Sequence, residues 1–378
     1  MNSGQLSEKM MGLVLANGEM KRVVDVRSDT VTKPTDAMRV AMAQAQVDDD
    51  VLCSDPTAAT LQQQMAKIMG KEAALFVPSG TMGNLISVLV HCEVRGSEVI
   101  VGSNSHIHVY ENGGISTIGH VYPHLVENET DGTMDIKKVE AAIRPSGGDD
   151  MYYATTRLIC IENTHANSGG RCITAEYTDK IGELAKHHGL KLHVDGARIF
   201  NASTALGVPV DRLVQAADSV SVCLSKGLGA PVGTVIVGSH EFIAKAKKLR
   251  KTLGGGMRQV GVLCAAGLIA LNDMVGRLRE DHKNCRILAE SLNAIDGFHV
   301  RLDAVETNIV FVDLSVDSAF GAEELCEAMK EKGILFMPVG HMRFRLVTHH
   351  QISEDDVRYA IACFRDISVR LQTRRKIT

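Results

Sequence analysis

The sequence has no excess of positive charge. Lys and Arg number 41 against 45 Asp and Glu, a formal net charge of −4. Nothing in that balance would neutralise a phosphate backbone, so general nucleic-acid binding is excluded. No apolar run is long enough for a membrane helix: the longest, Val260 to Leu271, has 12 residues, where a span needs roughly 20. It reads as a core helix. Closely spaced cysteines are missing as well. No two of the nine lie nearer than Cys160 and Cys172, which excludes CxxC redox pairs and thiolate zinc knuckles, assigns no metal, and points to the reducing cytoplasm. The first twenty-odd residues, with Glu8, Glu19 and one short apolar patch from Met10 to Ala16, lack a signal-peptide or Arg-rich transit pattern. There is no fixed-period repeat and no low-complexity block. The G-x-x-x-x-G-K-[ST] fingerprint is absent and no G-x-G-x-x-G follows the first strand. That argues against a nucleoside triphosphate and weakens a dinucleotide reading.

What is present is ample material for a core. Of 378 residues, 45% are hydrophobic and 23% charged, which suits a folded protein, and the length suits two domains or three. Short β-type runs alternate with helical patterns through the middle of the chain. Arg157–Glu162, Leu190–Asp195 and Ser219–Ser225 read as strands, and Lys180–His188 as a helix, because Ile181, Leu184, Ala185 and His188 share one face. Gly189 then stops that helix. Strands separated by helices predict an α/β fold, a mostly parallel sheet covered on both faces. Beyond about residue 275 the pattern changes. Thr307–Asp313 and Phe344–Thr348 read as strands around a helix at Ala322–Lys332, with a closing helix from Glu354, as in a smaller α+β domain.

Ligands of open α/β sheets collect at the carboxyl ends of the strands. Three predicted strands end in Glu162, Asp195 and Lys226. A partly buried lysine has a lowered pKa and can act as a Schiff-base nucleophile; the plainer alternative is a lysine snorkelling at a strand end. Pro78-Ser-Gly-Thr-Met-Gly-Asn84 follows the strand-like Ala73–Val77 and precedes the helical Leu85–His91. Such a turn is either an ordinary helix cap or a phosphate site on free N–H groups. A helix-terminal phosphate site, a strand-end carboxylate and a strand-end lysine together match the needs of pyridoxal 5′-phosphate. His106 is a candidate to cover the cofactor ring.

Seven motifs then carry a resemblance. They are Val24-Asp-Val-Arg-Ser-Asp-Thr-Val-Thr-Lys-Pro34, Pro78-Ser-Gly-Thr81, Glu162-Asn-Thr-His165, His193-Val-Asp-Gly-Ala-Arg-Ile-Phe-Asn201, Cys223-Leu-Ser-Lys-Gly227, Gly254-Gly-Gly-Met-Arg-Gln259 and Arg345-Leu-Val-Thr-His349. From about Val24 to the C-terminus the chain closely resembles the low-specificity L-threonine aldolases. The resemblance implies a pyridoxal-phosphate enzyme of the aspartate-aminotransferase fold (fold type I), with a large domain around a seven-stranded sheet. It divides the chain into an N-terminal extension and arm over 1–45 that contributes to the active site, a large domain over 46–274 and a small one over 275–378. It implies that Lys226 carries the cofactor, Asp195 holds its ring nitrogen, His106 stacks on the ring, and Gly80 and Thr81 bind the phosphate. Arg198 would lie near cofactor and substrate, and Ser28, Arg198 and Arg345 would grip the substrate carboxylate. Arg258 would reach a neighbouring subunit's site, which puts the site at a dimer interface, commonly within a tetramer.

The implied reaction is cleavage of L-threonine, L-allo-threonine or another β-hydroxy-α-amino acid to glycine and an aldehyde. His106, or a water it orders, would take the β-hydroxyl proton. The chain departs from the family pattern at Leu52, where a tyrosine is common, and at Tyr152, where many bacterial members have histidine after an acidic pair. Both positions belong to the aldehyde side, so tolerance of bulky aldehydes and weak discrimination at the β-carbon are expected. A β-eliminating lyase sharing the cofactor residues, or a cofactor-binding protein without catalysis, are the alternatives.

Overall fold

A computed structural model of the chain describes residues 22–144 and 151–375. The N-terminal extension before Arg22 and the acidic pair Asp149-Asp150 lie outside the described residues. Two compact units are present, one of residues 22–31 with 280–375, the other of Thr32–Arg279. The arm expected over 1–45 is thus divided at Val31, and the large unit runs past 274 to Arg279. Backbone pairing explains the first difference. Strand β1 (Val24–Asp25) pairs in parallel with Ile334–Leu335, and the Val26 N–H donates to the Leu335 carbonyl at 2.8 Å. Past Val31, the Asp36–Ala43 helix buries Met38 and packs on the Gly261–Ile269 helix of the large unit.

The large unit is built on seven strands: β2 (Ala73–Val77), β3 (Ser97–Gly102), β4 (Tyr122–Val126), β5 (Thr155–Glu162), β6 (Lys191–Asp195), β7 (Ser219–Cys223) and β8 (Thr234–Gly238). Their order across the sheet is β2-β8-β7-β6-β5-β3-β4. Only β8 is antiparallel to its neighbours, so the other six strands all end at one edge. Alternate residues feed the two faces. Phe76, Ile100, Ile159 and Leu192 pack into one core, and Leu75, Val99, Leu158 and Cys160 into the clusters opposite. Such side-chain alternation is the period of a strand. One covering helix is Ala175–His187, longer at its start than expected, because the Thr174 hydroxyl caps it by accepting from the Tyr177 N–H at 3.3 Å. Gly189 ends it at φ +68°.

In the smaller unit, β9 (Phe298–His299), β10 (Ile309–Leu314), β12 (Met337–Gly340) and β13 (Arg343–Val347) form an antiparallel sheet in the order β12-β13-β10-β9; Ile334–Leu335 is β11. The helices Ala322–Glu331 and Glu354–Arg375 belong to this unit. Its core is aromatic: Phe344 stacks on Phe364 with ring centres 5.7 Å apart, and Phe298 and Phe336 close around them.

Candidate active site

Because six strands end at one edge, the residues that follow them gather there. The turn after β2 opens the Gly80–His91 helix, the loop after β3 carries His106, β5 and β6 end in Glu162 and Asp195, and Lys226 stands three residues beyond β7. Glu162 and Asp195 are direct partners across β5 and β6, and Asp195 pairs in turn with Ser221.

The helix start is set by serine and glycine. The Ser79 hydroxyl accepts from the Met82 N–H at 3.2 Å, and the N–H groups of Gly80 and Thr81 have no carbonyl to meet within the helix. Gly80 must be glycine for packing: a Cβ there would lie 2.8 Å from Cys223 Sγ. At Gly83 it would lie 2.8 Å from Ser221 Oγ. The helix therefore rests directly on β7, with its positive end at the strand-end edge.

Asp195 is 3% exposed. Its Oδ1 accepts from the Ala197 N–H at 3.1 Å and its Oδ2 from Asn84 Nδ2 at 2.8 Å. Asn84 also donates to Glu111 Oε1 at 2.7 Å, and that oxygen meets His106 Nδ1 at 2.8 Å. Polar atoms of His106, Glu111 and Asp195 all lie within 4.8 Å of one another. Glu162 fixes the His106 backbone by accepting its N–H at 2.7 Å. Burial pulls the His106 pKa down, but the Glu111 hydrogen bond and the Asp195 charge outweigh it, against an opposing Lys226 charge, and leave it above the usual 6.5. Glu111 is itself raised, by burial first and by the nearby Asp195 charge.

Lys226 is half-buried. Its carbonyl accepts from the Gly229 N–H at 2.8 Å and from Thr32 Oγ1 at 3.4 Å. Arg198 is buried and stands just before the Ile199–Leu206 helix. The remaining expected residues have the following surroundings. Leu52 and Tyr152 are 74% and 83% exposed. Arg258 is exposed too, its guanidinium 2.8 Å from Asp49 Oδ2. Ser28 and Arg345 belong to the smaller unit. There the Ser28 hydroxyl accepts from the Thr30 N–H and Oγ1 at 3.2 and 2.9 Å, and Arg345, on β13, donates to the Arg27 carbonyl at 3.2 Å.

Asn84 and Glu111 escaped the sequence reading, and Glu162 was seen only as a polar strand end. Asn84 closes the quoted Pro78–Asn84 run, yet nothing in that run shows that it meets residues 27 and 111 positions away. For Glu111 the sequence offers no signal.

The family model of the beta-eliminating lyases matches residues 25–315. A probable low-specificity L-threonine aldolase 2 of Arabidopsis thaliana is 64% identical over 346 residues, covering 92% of this chain and 97% of its own length. The low specificity L-threonine aldolase of Escherichia coli is 43% identical, covering 91% and 98%. Among solved structures, a threonine aldolase of Leishmania major superposes with a TM-score of 0.75 at 19% identity over 91% of this chain and 99% of that one. The fold is that of the fold type I pyridoxal-phosphate enzymes.

Proposed function

The chain belongs to the low-specificity L-threonine aldolases within the beta-eliminating lyase family, and from that membership we propose how its own residues carry the reaction. It is a carbon–carbon lyase that uses pyridoxal 5′-phosphate and cleaves L-threonine to glycine and acetaldehyde; L-allo-threonine and other β-hydroxy-α-amino acids are taken as well. The observation that carries the reading is the shared edge: a helix start, a buried carboxylate and a half-buried amine at the ends of parallel strands. That donor set fits the cofactor. Gly80 and Thr81 offer N–H groups to a phosphate, Asp195 a carboxylate to the ring nitrogen, Lys226 an amine to the aldehyde, and His106 an imidazole to the ring face.

When bound, the cofactor supplies a sink for the electron pair of the breaking Cα–Cβ bond. Asp195 would hold a proton on its ring nitrogen by charge. By family membership Ser28, Arg198 and Arg345 would bind the substrate carboxylate, the arginines having forks shaped for it. With Nδ1 committed to Glu111, His106 presents Nε2 to the β-hydroxyl and takes its proton, directly or through one water, as the aldehyde leaves. Product analysis tests the reading. Glycine and acetaldehyde in equal amounts are expected from L-threonine; pyruvate and ammonia would instead mark a β-eliminating lyase.

A base must be unprotonated to act, so activity rises with pH through the His106 midpoint. Because Glu111 holds that midpoint above the ordinary 6.5, Glu111→Gln should move it to lower pH. The kcat/KM profile for L-threonine is the measurement, and an unmoved midpoint would separate Glu111 from the titrating base.

The assembly completes the site. Leu52, Tyr152 and Arg258 can line a pocket only if a second chain closes over them, and their exposure here supports a dimer-interface site within a homotetramer. Leu52 in place of a phenol leaves an apolar aldehyde wall, which supports bulky aldehydes. Arg258→Ala should weaken cofactor retention more than it alters substrate choice. Mixed with Lys226→Ala subunits it should regain part of the lost activity, since one hybrid site is whole; no recovery in verified hybrids would keep Arg258 within its own chain. None of the nine cysteines forms a disulfide, which supports a cytoplasmic enzyme of threonine breakdown and glycine supply.

A further inference from the structure

We infer that Asn84 is a positioning residue for Asp195, and that a chain of donors from half-buried His91 through the buried Ser219 and His193 holds its amide in one orientation. Asn84 is 1% exposed, and its two N–H groups are both spent on carboxylates, Glu111 and Asp195. Its Oδ1 lies 3.2 Å from His193 Nε2. An amide oxygen only accepts, so His193 carries its proton on Nε2. His193 Nδ1 must then accept, from the Ser219 hydroxyl at 2.8 Å. That hydroxyl has one hydrogen and has given it away, so it accepts from His91 Nε2, also at 2.8 Å. The chain runs one way, from His91 to Asp195.

Neutral rings are what this order requires, and burial supplies them: it pulls the His193 pKa down to about 4 and that of His91 to about 3. The His91 ring is fixed by stacking on Phe242, 5.0 Å between centres. Turning the amide over would set its oxygen against two carboxylates and its N–H groups against the N–H of His193. Donors aligned head to tail strengthen one another where water is excluded, and here the last of them lands on the carboxylate assigned to the ring nitrogen. Without those N–H groups, two buried acids with oxygens within 4.8 Å of each other would compete for a single charge.

This inference rests on the reading that Asp195 faces the ring nitrogen. The test therefore crosses Asn84→Leu and Ser219→Ala with Asp195→Ala, with pyridoxal-phosphate affinity of the apoproteins and the 15N shift of the ring-labelled cofactor as readouts. Asn84→Leu should weaken affinity about tenfold or more and Ser219→Ala about threefold, the ranges for charged and neutral hydrogen bonds, each moving the shift toward unprotonated nitrogen. In the Asp195→Ala background both effects should shrink below about twofold, because a residue acting through a partner has nothing to act on once the partner is gone. Ser219→Ala removes one oxygen from a strand and carries the test if Asn84→Leu fails to fold. Effects of equal size in both backgrounds, or none in the parent, overturn the inference. If Asp195→Ala itself leaves the 15N shift unmoved, the assignment of Asp195 fails, and that failure is visible before any Asn84 result is weighed.

Discussion

Lys226→Ala is expected to yield a folded protein without the visible absorbance of the lysine-bound cofactor, and with turnover of L-threonine lowered on the order of ten-thousandfold or more, as when a covalent nucleophile is removed elsewhere. The folding half of that expectation follows from the local structure. Lys226 is half-buried on the turn after β7, and the hydrogen bonds that fix the turn use its carbonyl, which alanine retains. Losing the side chain removes the amine and leaves the backbone scaffold intact. Absorbance spectra, turnover assays and thermal unfolding of the same preparation check both halves. Unchanged colour and activity would sink the whole assignment of the site.

Asp195→Asn should keep most of the cofactor while kcat falls about 10²–10³-fold, roughly 2.7–4 kcal/mol, the scale of one preorganised electrostatic contact. An amide has nearly the shape of the carboxylate and can still accept from the Ala197 N–H. It has no charge with which to hold a proton on a ring nitrogen, and its own N–H group has to face either Asn84 or that nitrogen. The measurement is kcat referred to bound cofactor, so that weakened retention is not counted as slow chemistry. A loss below about tenfold would give the ring nitrogen a different partner.

Much of this was legible because the decisive residues end hydrophobic runs. Leu192 to Val194 followed by Asp195, and Val220 to Leu224 shortly before Lys226, announce strand ends by the switch from apolar to charged, and strand ends are where such sheets place ligands. The strand limits were close to those observed, since fully buried strands are written as continuous Val, Ile and Leu. The Gly80–His91 helix begins earlier than the expected Leu85: two glycines in its first turn lower helix propensity and hide that start in the sequence, while the Ser79 cap and the packing on β7 set it.

Long-range contacts were not legible. Strand β1 has two residues, too few for any period, and its place is fixed by a partner near residue 334. Hence the division at Val31 could not be read from residues 1–45. The Asn84 contacts are of the same kind, set by folding rather than by neighbours in sequence.

The anchoring of Lys226 has a kinetic consequence. With its carbonyl tied to the Gly229 N–H and Thr32 Oγ1, the peptide is a fixed pivot and the amine swings on four methylenes. An amine released from a bound cofactor would stay on that short tether, and its return would be a unimolecular step at high effective molarity, whereas a free amine must arrive by diffusion. The rate of recapture would then depend on where the backbone is tied as well as on the reactivity of the amine.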